Sequence, residues 1–149
     1  MGLNPGTEEF AKRRFFVGRA GAYLRSPRYD LLWASVGPAT ETLVTNIVKL
    51  STPRASDLDA IDHRTIAGCV RHCFLEEVHG MPSLERLFIL GGRAARLFRQ
   101  IALPELTDQR RLKTYSVRHP SFCWTVPDLE ERLRQQLREP WEEVRREAE

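Results

Sequence analysis

The chain has 149 residues and a mass of 17.2 kDa, with 42% hydrophobic and 29% charged residues, enough for a single domain, residues 1–149, with a real core. No stretch nears the roughly 20 apolar residues of a membrane span, and no basic segment followed by an apolar one opens the chain, so a soluble cytoplasmic setting is expected. Three cysteines, Cys69, Cys73 and Cys123, are too few and too odd in number for a disulfide framework, and a net charge of +3 leans toward anionic partners.

Residues 17–25 read as a short helix that stops before Ser26-Pro27, because the residue before proline avoids helical backbone. Residues 29–36 form another, ended by Gly37-Pro38. Leu43 to Val48 is continuous and β-branched, as expected of a strand buried on both faces. Pro53 to Asp59 reads as loop. From about Ile61 to Gly80 the spacing is helical, with Ile66, Val70, Phe74 and Val78 on one face. Leu84 to Leu90 is a second apolar strand, and Gly91-Gly92 turns it into a helix over 93–101. Thr114 to Val117 is a short third strand leading to Arg118-His119-Pro120-Ser121. An acidic helix from about 127 to 149 carries Leu133, Leu137, Trp141 and Val144 at helical spacing, and Pro140 should break or kink it.

Alternating strands and helices predict an α/β fold, a three-layer α/β/α arrangement around a short, mostly parallel central sheet. Ligands in such sheets sit at the carboxyl ends of strands. That rule points to Asn4, Asn46 and His119, each at the end of an expected strand or strand stub. The charge is uneven as well. Residues 127–149 hold eight acids and five arginines, a net −3, which leaves +6 on residues 1–126. A basic body suits a nucleic acid, whose phosphates supply much of the affinity; the excess of arginine over lysine is equally explained by genome composition.

Five short segments form an ordered set along the chain: Gly2-Leu3-Asn4-Pro5-Gly6, Phe16-Val17-Gly18-Arg19-Ala20-Gly21, Thr45-Asn46-Ile47-Val48-Lys49, Leu90-Gly91 and His119-Pro120-Ser121. Together they resemble the uracil-DNA glycosylase superfamily over about residues 2–122. The first is similar to the water-activating motif of the mismatch-specific and single-strand-selective branches. The middle segments are similar to the iron–sulfur branch, and the histidine motif is similar to the second catalytic motif of much of the superfamily.

The resemblance implies base flipping and hydrolysis of an N-glycosidic bond in DNA that carries uracil or a related lesion. It implies that Asn4 orients a water and that His119 donates to the departing base. Asn46 would pair with the base edge and Phe16 would stack on it. Arg118 and Ser121 would contact phosphate, and Phe122, with Trp124 beside it, would wedge into the duplex. On the residues alone, each has an ordinary reading as turn, loop or core. The expected protein is a monomer with no membrane partner and no cofactor. Four thiolates are needed for an iron–sulfur cluster, yet Leu50 stands where one would follow Lys49 and only Cys69 matches a ligand position. Cys69, Cys73, His63 and His72 lack the second close pair of a zinc site. Arg13 and Phe15 replace a glycine and a proline of that branch. The first strand is cut to Met1-Gly2-Leu3, so the alternative is a relative that binds DNA or a nucleotide without cleaving it.

Overall fold

The structure is a computed structural model that describes residues 1–5, 7–13, 16–36, 43–106, 112–120 and 128–148. Helix α1 (Thr7–Lys12) is followed by α2 (Gly18–Leu24), a 3₁₀ turn over Pro27–Tyr29 and α3 (Asp30–Val36). After an extended passage come a second 3₁₀ turn (Ala55–Ala60) and α4 (His63–Cys69), which continues through a π-helical turn (Val70–Leu75) into α5 (Glu76–His79). Strand β1 (Arg86–Leu90) leads to α6 (Gly92–Leu97), another π turn (Phe98–Ala102) and α7 (Leu103–Leu106). Strand β2 (Lys113–Val117) and the long helix α8 (Leu129–Ala148) complete the order.

β1 and β2 pair in parallel, Arg86 opposite Lys113 and Leu90 opposite Val117. The Met1–Leu3 stub lies on the other side of β1. Met1 N donates to Phe88 O at 2.6 Å, and Leu90 N donates to Met1 O at 2.8 Å, the slanted pattern of a parallel pair. Beyond the stub, Gly2 bridges Asn46 in parallel: Gly2 N donates to Thr45 O at 2.8 Å and Ile47 N to Gly2 O at 2.9 Å. Across the sheet the order is therefore 45–48, 1–3, β1, β2. The stub is short, yet it occupies the middle of the layer.

Side chains of β1 alternate between two cores, as a strand requires. Leu87 and Ile89 join Met1, Leu3, Ile47, Val70, Phe74 and Phe98 on one face. Leu90, with partly buried Phe88, joins Phe16, Leu24, Tyr29, Leu32, Leu133 and Leu137 on the other. Helices cover both faces, which makes this a small α/β fold.

Three local expectations change. Residues 43–48 carry a single bridge and not a regular strand, because among the described residues their only ladder partner is the three-residue stub. Pro53–Asp59 is not plain loop: Asp57 Oδ2 accepts from Arg54 N at 3.0 Å and caps the 3₁₀ turn. Helix α8 runs through Pro140 without a break. Burial of Pro140 beside Leu133 and Leu137 offsets the lost backbone bond. Trp141 stays 37% exposed, its ring covered by the Arg145 guanidinium 5.9 Å from the centroid.

Candidate active site

The candidate site is built around a missing side chain. Gly2 sits mid-sheet, and a Cβ placed on it would lie 2.3 Å from Asn46 Oδ1 and 2.8 Å from Phe16 Cζ. Only glycine leaves room there for both groups. Asn46 is 2% exposed, and its Nδ2 has no hydrogen-bond partner. A buried donor left unpaired costs on the order of 1–3 kcal/mol, so the amide is costly as it stands. Its segment is held from behind. Thr45 Oγ1 donates to Glu77 Oε2 at 2.8 Å, and Lys49 Nζ donates to the same oxygen at 2.6 Å and to Thr45 Oγ1.

Phe16 is 3% exposed, and its ring centroid lies 6.2 Å from that of His119, tilted by 33°. Its backbone is left-handed, with φ of 52°, a conformation that costs an ordinary residue about 1–2 kcal/mol. Both of its peptide groups are gripped. Phe16 N donates to Glu9 Oε1 from α1, and Arg25 Nη1 donates to Phe16 O at 3.2 Å. Gly21 of α2 allows the close approach, since a Cβ there would fall 1.4 Å from Phe16 O. Strain held by such surroundings is common at binding sites. Arg13, the residue standing where the iron–sulfur branch has glycine, is left-handed too, with φ of 50°.

His119 follows β2 and packs against the turn that opens α6. Gly91 has φ of 97°, and a Cβ on it would meet His119 Cβ at 3.1 Å. Burial, with a smaller contribution from the chain's α-ammonium, lowers the His119 pKa from 6.5 to about 4. The imidazole is therefore neutral near pH 7. A neutral ring carries one N–H donor and one acceptor.

Asn4, half-buried, ends the stub. Its Nδ2 donates to Thr52 Oγ1 at 2.8 Å and makes a longer contact to Pro5 O at 3.4 Å. The structure thus brings Asn46, Phe16 and His119 together around Gly2, with Asn4 at the end of the same stub. Arg118 stands beside them and lines a shallow groove of ≈580 Å³ along α8, together with Asp128, Arg132 and Gln136; its backbone N–H bonds Gln136 Oε1 at 3.2 Å. Ser121, Phe122 and Trp124 lie outside the described residues. Glu9, Arg25 and Thr52 were not readable as site residues from the sequence; the glutamate pair at 8–9, one residue beyond the Pro5-Gly6 turn, was the one available signal for the first.

The family model of the uracil DNA glycosylase superfamily matches residues 1–145. The chain belongs to this superfamily. No curated protein and no solved structure matches it significantly. Membership in the uracil DNA glycosylase superfamily carries a DNA glycosylase-type function with DNA as substrate. The iron–sulfur cluster of one branch does not fit these residues. Cys69 and Cys73 lie one turn apart on the α4 helix and its π continuation, and Cys69 Sγ already accepts from Lys49 N at 3.2 Å. Burial and the neighbouring Cys69 push the Cys73 thiol up. Among the described residues no three His, Cys, Asp or Glu side chains are grouped to hold a metal ion.

Proposed function

We propose that this superfamily member hydrolyses the N-glycosidic bond of uracil, or a closely related damaged base, in DNA after flipping the nucleotide out of the stack. The unpartnered Nδ2 of buried Asn46 carries the reading. An amide offers an acceptor for uracil N3–H and a donor for O4. Cytosine presents the reverse pattern there and would leave polar groups unpaired. Phe16 stacks on the flipped base, a contact worth about 1–3 kcal/mol.

In the reaction a water oxygen bonds to the sugar C1′ as the bond from C1′ to the base nitrogen breaks. The bonding pair leaves with uracil, and the excess proton of the added water passes to solvent. Neutral His119 donates to uracil O2 as negative charge builds, an electrostatic effect commonly worth several kcal/mol. Asn4 is too weak a base to take a proton, so its part is to orient the water. Arg118, with Ser121, contacts phosphate, and Phe122 fills the gap left by the flipped base.

Base reading is tested with single-stranded oligonucleotides carrying 2′-fluoro-2′-deoxyuridine, whose electron-withdrawing fluorine slows cleavage. The protein should bind them at least tenfold more tightly than matched cytidine oligonucleotides. Asn46→Ala should erase that preference. Equal affinity for both bases in the unsubstituted protein would refute the assignment.

A further inference from the structure

Resting on the proposed role of Asn4, we infer that Thr52 is a positioning residue that fixes which end of the Asn4 amide faces the reacting water. The polarity of the bonds decides it. Arg54 O is a carbonyl and can only accept, and it accepts from Thr52 Oγ1 at 2.7 Å. The Thr52 hydroxyl proton is thereby committed, and a lone pair is left toward Asn4. Asn4 Nδ2 donates to that lone pair at 2.8 Å. Pro5 O, 3.4 Å from the same nitrogen, is another acceptor and favours the same orientation. A flipped amide would set Asn4 Oδ1 against a carbonyl oxygen and an oxygen lone pair.

The anchor itself is firm. Arg54 O also accepts from Asp57 N at 3.0 Å within the 3₁₀ turn Ala55–Ala60, and Thr52 is 8% exposed. With its nitrogen held, Asn4 turns Oδ1 outward, where it accepts a hydrogen of the water and leaves a lone pair of that water for C1′. A hydroxyl at position 52 thus selects the one amide orientation that serves an attacking water. The device spans 48 residues of sequence and joins the stub to the loop beyond Lys49.

Thr52→Val keeps the shape and removes the hydroxyl, and Thr52→Ser restores it. Uracil release under saturating and limiting substrate should show kcat reduced roughly tenfold in Thr52→Val, the scale of one lost orienting hydrogen bond. KM should stay within about twofold, and Thr52→Ser should recover at least a third of the original kcat. In ¹⁵N-resolved spectra the two Asn4 side-chain amide protons should be well separated in the unsubstituted protein and in Thr52→Ser, and collapse toward free-amide positions in Thr52→Val. A kcat for Thr52→Val equal to that of the unsubstituted protein, or free-amide positions for Asn4 before substitution, overturns the inference while leaving the glycosylase reading intact. An unsubstituted protein that releases no uracil overturns that reading and this role with it.

Discussion

Asn46 and Gly2 share one β-bridge, and each explains the other. A glycine weakens a strand, which has no side chain to pack there, so its presence in a three-residue stub needs a reason. The reason is the space above it, occupied by Asn46 Oδ1 and the Phe16 ring. Gly2→Ala should therefore act on the site more than on the fold. We expect about 1–3 kcal/mol of lost stability from overpacking, read by urea titration, with at least a tenfold loss of preference for fluorouridine over cytidine oligonucleotides. Asn46→Ala should show the opposite balance: recognition lost with little change in stability, because its Nδ2 has no bond to lose. Thermal melts alongside the binding titration check the pair.

Among the elements, α8, α3 and the 3₁₀ turn before it close one face of the sheet through Leu133, Leu137, Leu32 and Tyr29. Leu137 is fully buried, and Leu137→Ala should cost about 2–5 kcal/mol in denaturant unfolding. Much of this level was legible in the sequence. Helices α2 and α3, strands β1 and β2 and the helix through Ile66 and Val78 follow from periodicity and punctuation, since apolar spacing reports directly on a buried face. Helix α1 was not legible, because the Asn4-Pro5-Gly6 turn signal outweighed the helix-opening Thr7-Glu8-Glu9. Left-handed backbone at Arg13 and Phe16 was equally hidden, because neither residue is one of the types that usually adopt it. Of the site, Asn4, Asn46, Phe16 and His119 were readable as a motif order. Their supports, Glu9, Arg25 and Thr52, were not. A hydrogen bond between residues 4 and 52 leaves no periodic trace in a single sequence. The grip on Phe16 depends on Gly21, and Gly21→Ala should lower thermal stability, since its Cβ and Phe16 O cannot both keep their places.

At the scale of the whole molecule, the buried imidazole couples the site to pH. Above its ordinary pKa of 6.5, His119 is neutral both folded and unfolded and contributes no slope. Between 6.5 and about 4 only the unfolded chain takes up the proton, so the His119 contribution to stability declines as pH falls through that window. Below about 4 both states are charged and the slope ends. Burial also lowers the Met1 α-amino pKa from 8.0 to about 5, which adds a slope of the same sign, so melts from pH 7 to pH 4 should show a decline that His119→Gln makes shallower without removing it. The same neutrality means that uracil release should show no step from His119 near pH 6.5. The basic body, net +6 over residues 1–126, should make DNA affinity fall steeply with salt. If Gly2, Asn46, Phe16, His119 and Asn4 form a working glycosylase site, single-turnover assays will detect uracil release from single-stranded and G·U duplex oligonucleotides. The unsubstituted protein should release uracil, and His119→Ala and Asn4→Ala should each lower the rate roughly 100-fold or more. Equal rates in all three proteins, or tight DNA binding with no release by any of them, would show that these residues are not a glycosylase site.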